Sequence, residues 1–133
     1  MLEEFSIKTD REGCYEITAL ARGVVRRSGV REGICVVWCP HTTAAITVNE
    51  NADSDVLRDL MLGLAHAYPD RPDFNHDEGN SAAHLKASAL GASQTLIVHD
   101  CDLLLGRWQG LFFCEFDGPR TRRWLARVVA AGC

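Results

Sequence analysis

The chain has 133 residues, 47% hydrophobic and 24% charged, which suits a single domain (1–133) able to bury a core without disulfide or metal staples. A formal charge of -4, with basic residues clustered only at Arg120, Arg122 and Arg123, argues against a nucleic-acid surface. No apolar run is long enough to span a membrane, and the acidic start Met1-Leu2-Glu3-Glu4 is unlike a secretory signal, so a cytoplasmic location is expected.

The first predicted element is a strand over Glu4 to Lys8. The turn Asp10-Arg11-Glu12-Gly13 then offers Cys14 to Ile17 as its hairpin partner. Thr18 reads as the N-cap of a short helix with Leu20, Val24 and Val25 on one face, ended by Ser28-Gly29. Ile34 to Trp38 and Ala44 to Val48 are apolar strands separated by Pro40 and His41. Asp53 caps the clearest helix, in which Val56, Leu57, Leu60, Met61 and Leu64 recur at helical spacing until Tyr68-Pro69. Residues 69 to 80 hold two prolines, four acids and Gly79 without periodicity, and form a polar loop. Ser81 opens a second helix, rich in alanine, that ends at Gly91. Thr95 to Val98, Leu103 to Leu105, Leu111 to Phe116 and Trp124 to Ala130 complete the apolar segments, with a turn at Asp117-Gly118-Pro119. The order and the turns predict an α+β fold, a mixed and largely antiparallel sheet sandwich covered by helices.

Six cysteines lie at 14, 35, 39, 101, 114 and 133, mostly among strand-like neighbours and without a CxxC pair. They read as reduced, buried-type thiols in a reducing compartment, with the terminal Cys133 incidental.

Chemistry concentrates at the histidines. His41 follows Pro40 at a strand end, beside Thr42 and Thr43, whose hydroxyls could bind phosphate oxygens or orient the ring. The plainer alternative is a surface histidine in a turn. His76 lies in the polar loop and His84 on the first turn of the following helix, spaced so that the loop could fold back and aim both rings at one ion. The plainer alternative there is a solvated loop beside a packed histidine. The helix start near Ser81 to Ala83 would favour an anion. Glu50 is a candidate ligand, general base or helix-start charge. Glu115, among Phe112-Phe113-Cys114 and Phe116, must be paired or face a cavity, with Arg120 or Arg107 as partner, unless it lies on the solvent side of an edge strand. Gln109, in Gly106-Arg107-Trp108-Gln109-Gly110, offers a donor and an acceptor to a ligand. His66 reads as a solvated or capping residue near the end of the Asp53 helix, and His99 as a turn residue beside Asp100 without a functional role.

Several blocks in the same order resemble the YjbQ-like family. They are His41-Thr42-Thr43-Ala44-Ala45 running to Asn49-Glu50-Asn51-Ala52-Asp53, His76-Asp77-Glu78-Gly79-Asn80, Ser81 to Ser88, Gly106-Arg107-Trp108-Gln109 and Glu115 to Arg120. The resemblance covers nearly the whole chain. It implies an α+β sandwich assembled as a homotrimer, with a cleft built from the matching His, Asn and Glu positions at or near a subunit interface. It also implies a secondary thiamine-phosphate synthase activity, a transferase reaction joining a pyrimidine diphosphate to a thiazole phosphate with release of pyrophosphate.

The expected site therefore has His41, Glu50 and Glu115 as catalytic groups. Thr42, Thr43, Asn49, Asn80, Lys86, Gln109 and Arg120 would bind substrate. His41, His76 and His84 would hold a divalent metal, zinc or magnesium, or meet phosphate directly. Two alternatives use the same residues: a non-catalytic module that binds a metal or a phosphorylated metabolite, and a purely structural trimer.

Overall fold

The computed structural model describes residues 1–132, so Cys133 lies outside the described residues. The elements run β1 (Leu2–Thr9), β2 (Gly13–Glu16), α1 (Thr18–Ser28), β3 (Gly33–Trp38), β4 (Ala44–Glu50), α2 (Ser54–Ala67), α3 (Ser81–Leu90), β5 (Ser93–His99), β6 (Asp102–Leu103), β7 (Gln109–Glu115) and β8 (Arg120–Ala130). One sheet has the order β1-β8-β3-β5-β6 and a smaller one β2-β7-β4. The fold is α+β, and every pairing among the described residues is antiparallel rather than mixed.

Alternation along the strands builds the core between the two sheets. Cys35 and Val37 of β3, Leu96 and Val98 of β5, and Trp124, Ala126 and Val128 of β8 face Ala44 and Ile46 of β4 and Leu111 and Phe113 of β7. Ala21, Val24 and Val25 of α1 join that core. Each large side chain so withdrawn from water contributes roughly 1.5–3 kcal/mol. The other face of the small sheet, with Ala45, Phe112 and Cys114, packs under Ala83 and Ala87 of α3 and the half-buried Leu57, Met61 and Leu64 of α2.

Local chemistry sets most boundaries. The Asp53 carboxylate accepts the Asp55 N–H at 2.9 Å and starts α2. Gly29 ends α1 in the left-handed region at φ 71°, where a side chain would be strained. Thr18 is not a cap, because it already lies inside α1. Its hydroxyl donates to Glu16 and accepts the Leu111 N–H, both at 2.8 Å.

The expected hairpin between the first two strands does not form. β1 pairs with β8 and β2 with β7, in different sheets. An eight-residue ladder with β8, plus the stacking of Phe5 on Trp124 at 4.4 Å, outweighs what the four-residue β2 could offer. The Asp10–Gly13 segment is instead a corner between sheets. Tyr15 Oη accepts the N–H groups of Asp10 and Arg11 and donates to the Asp10 carboxylate at 2.6 Å. Among the described residues no helix is long and apolar enough to cross a membrane.

Candidate functional site

Three connections meet at one end of the sandwich. The first is Cys39-Pro40-His41-Thr42-Thr43, where the chain leaves β3 of the large sheet for β4 of the small one. The second is the return from β7 to β8 through Phe116 to Pro119, and the Phe116 N–H bonds Thr43 O at 3.1 Å. The third is the loop that enters α3. Between them lies a cavity of about 370 Å³ bordered by His41, Thr42, Thr43, His76, Glu78, Asn80, His84, Asp117, Arg120 and Arg122. Seven of the expected residues thus share one space: His41, Thr42, Thr43, His76, Asn80, His84 and Arg120.

Glu115 has a different role from the expected acid or base. It is fully buried, and its partner is Arg122 rather than Arg120 or Arg107. Oε1 accepts Arg122 Nε and Thr9 Oγ1, each at 2.8 Å. Oε2 accepts Arg122 Nη2 and the Asp117 N–H. Burial pushes its pKa up, but the Arg122 guanidinium, with the Asp117 N–H and the Thr9 hydroxyl, more than offsets that and holds it below the usual carboxylate range. With every acceptor position filled, this carboxylate has no lone pair for a substrate proton. The same guanidinium donates from Nη2 to Thr43 Oγ1 at 2.8 Å, so the pair fixes the cavity wall.

His41 is held by the backbone of β8. Its Nε2 accepts the Arg123 N–H at 3.0 Å. That nitrogen must carry a lone pair, so the neutral ring bears its proton on Nδ1. Burial, then the adjacent Arg122 charge, hold its pKa below the ordinary histidine value. His76 and His84 lie edge to face with centroids 5.2 Å apart.

These rings do not fit a shared three-histidine metal site. Metal on Nδ1 of His41 would move its proton to Nε2, against the Arg123 N–H. Among the described residues the one His/Cys/Asp/Glu group with all ligand atoms within 4.8 Å of one another is Glu32, His99 and Asp100, on the exposed surface. There His99 Nδ1 is 2.6 Å from Glu32, whose hydrogen bond raises the ring's pKa.

Asn80 stands at the N-cap position of α3 but does not cap it. Its amide nitrogen donates to Asp117 Oδ2 at 2.8 Å, while its Oδ1 is buried without a protein donor. Asn80 O accepts the Ala83 N–H at 3.0 Å and the His84 N–H at 3.4 Å, which leaves the Ser81 and Ala82 N–H groups as the first-turn donors without a protein acceptor. Arg120 donates to Asp117 O and Oδ2, each at 2.8 Å, offsetting that carboxylate's charge beside the cavity.

The remaining expected residues lie elsewhere in this chain. Asn49 and Glu50 end β4 opposite Gly110 and Gln109, five and six residues from Ala44, about 17–20 Å along the strand. Gln109 is folded onto its own turn, accepting the Gly106 N–H at 2.7 Å. Lys86 is buried away from the cavity and donates to Glu12 at 3.0 Å. Thr9, Asp117 and Arg122 went unforeseen as parts of the site. For Arg122 the signal exists: it continues the inward series Trp124, Ala126, Val128 two residues back.

The family model for the UPF0047 protein YjbQ-like family matches residues 3–131. UPF0047 protein MJ1081 of Methanocaldococcus jannaschii is 48% identical over 130 residues, covering 97% of this chain and 94% of that one. UPF0047 protein YugU of Bacillus subtilis is 48% identical over 131 residues, covering 97% and 99%. A solved YjbQ/UPF0047 structure from Clostridium acetobutylicum superposes with TM-score 0.93 at 48% identity, covering 96% of this chain and 99% of that one. A YbjQ-like protein of unknown function from Sulfolobus solfataricus gives 0.94 at 29% identity, covering 98% and 97%.

Proposed function

The chain belongs to the YjbQ-like UPF0047 family, and from that premise we propose that the cavity at the sandwich end binds the phosphate end of a small phosphorylated metabolite. The observation that carries the reading is the neutral His41 on the cavity wall, whose free donor is Nδ1–H, with the Ser81 and Ala82 N–H groups left unbonded at the start of the helix that brings His84 to the same space. Helix N-terminal amides and a ring N–H are donors suited to phosphate oxygens. Thr42 borders the same space and adds a hydroxyl, and Arg120 there offsets the Asp117 carboxylate that an anion would otherwise meet.

The finer reading is a thiamine-phosphate-synthase-type transfer. The carbon–oxygen bond of a pyrimidine diphosphate breaks, pyrophosphate leaves with the electron pair, and the thiazole nitrogen forms the new bond. Such a step needs charge stabilisation on the leaving group more than a strong base. His76 or His84 could supply the departing pyrophosphate with a proton. Magnesium would arrive as part of the diphosphate substrate, in keeping with its preference for phosphate oxygens and retained water. The protein works as a cytoplasmic homotrimer in this reading.

A non-catalytic binding module is the second reading, favoured by one observation: neither Glu50 nor Glu115 stands where an acid or base could act. Calorimetry with the thiazole phosphate and with the pyrimidine diphosphate, followed by a pyrophosphate-release assay, separates the two. The expected result is binding that weakens roughly tenfold or more in His41→Ala. Pyrophosphate release lost in His84→Ala supports the transferase, whereas binding without release supports the module. A wild-type protein that binds neither compound sinks both.

A further inference from the structure

Away from that cavity, two thiols meet across the small sheet. Cys14 of the edge strand β2 is the direct partner of Cys114 in β7. Their Sγ atoms are 3.2 Å apart, and both are free. Directly opposed residues in an antiparallel pair have Cα atoms about 4.5–5.5 Å apart, inside the range a disulfide spans. The pairing therefore places the two residues within the reach of a disulfide.

The two sulfurs are not equivalent. Cys114 is fully buried, whereas Cys14 is part-exposed and borders a cavity of about 620 Å³ together with Arg11, Glu12, Arg58 and Met61. The S–H of Cys114 stabilises a Cys14 thiolate and lowers its pKa, while Cys114 itself is driven up by Cys14 and by burial. Cys14 is thus the accessible nucleophile and Cys114 the thiol waiting behind it. The other buried thiols lack this arrangement: Cys35 is raised to about 11 by burial.

We propose that Cys14 and Cys114 form a peroxide-oxidised, thiol-reversible cross-strand disulfide. The Cys14 thiolate attacks a hydroperoxide, breaking its O–O bond and forming a sulfenic acid, and the other oxygen leaves as an alcohol or water once protonated. The Cys114 sulfur then attacks the sulfenic sulfur. Its proton and the released hydroxide form water as the S–S bond closes. Two thiols lose two electrons in all, and one peroxide is reduced. A small dithiol reverses the bond by exchange.

The test uses the full chain with hydrogen peroxide, alkylation of remaining thiols, and peptide mapping by mass spectrometry. The expected product has lost two hydrogens, carries one Cys14–Cys114 linked peptide, and returns to the starting mass with dithiothreitol. Cys114→Ala, which suits the apolar site, should stop at a sulfenic acid on Cys14 that dimedone traps. Cys14→Ser should leave Cys114 unmodified. Linkage of a different cysteine pair, or Cys14 driven to sulfinic acid with Cys114 still free, overturns the proposal. So does a wild-type chain that stays unoxidised under peroxide that oxidises free cysteine.

Discussion

A carboxylate accepts about four hydrogen bonds, and Glu115 receives four from Arg122, Thr9 and Asp117. A buried ion pair of this kind is costly to break from one side, because the survivor keeps its charge out of water. Arg122→Ala should therefore destabilise the protein by about 3–5 kcal/mol at pH 7, read by urea unfolding. The sign of its pH dependence follows from the depressed carboxylate. Folded Glu115 titrates below its unfolded value of about 4.3, so its contribution is complete above that pH and is lost as pH falls through the folded pKa. Below about pH 4 the wild type should lose this margin, and the gap to Arg122→Ala should narrow. A gap that stays constant down to pH 3 would show that the carboxylate is not the buried charge at stake.

α2 and α3 cover the same sheet face but are held differently. α3 presses Ala83 and Ala87 onto the small sheet, whereas no residue of α2 is buried. α2 therefore depends more on its own ends, and Asp53→Ala should cost about 1 kcal/mol. Amide exchange should be faster in α2 than in β7, and faster still in the variant. Equal protection of α2 in both proteins would remove the cap from this account. The Asp53 cap was legible in the sequence, as were α3 and the buried strands, because their signals are local: a capping side chain, an apolar period, a glycine stop. The β1–β2 hairpin was misread because a turn sequence fixes where the chain bends and not which strand will pair. The same limit governs the site. His41, Thr42, Thr43, His76, Asn80, His84 and Arg120 were found together because they sit in the connections at one sandwich end. Asn49 and Glu50 were grouped with them through one strand, although a strand carries its two ends apart. Lys86 shares a helix with His84, yet two residues along a helix turn a side chain to another face.

At the scale of the whole molecule the layers are unequal. Helices cover the small sheet, while among the described residues the outer face of the five-stranded sheet has no layer of its own. Its outward side chains include apolar residues in register, interspersed with Arg127, Thr95, Ser93 and Glu4. Val129, Ile34 and Ile97 lie directly across from one another, and the next such row holds Leu2, Arg127, Val36 and Thr95. Beyond it stand Leu125 and Trp38, the latter 48% exposed, with Ile97 at 57%. The exposed Trp38, Ile97, Ile34 and Val129 on this face would gain from cover, and a copy of the same chain could supply a matching one. In the proposed homotrimer three such faces would protect one another. Trp38→Glu combined with Ile97→Glu should bring the sedimentation mass from three chains to one. Neither residue belongs to a buried core cluster, so the circular dichroism of the variant should match the wild type. Arg123 links this face to the cavity, since its side chain bonds Glu4 at 2.6 Å while its N–H holds His41. If the cavity also depends on the assembly, the single-chain variant should bind phosphorylated ligands more weakly without touching them. A wild-type protein that already sediments as one chain would leave the apolar face without the partner assigned to it.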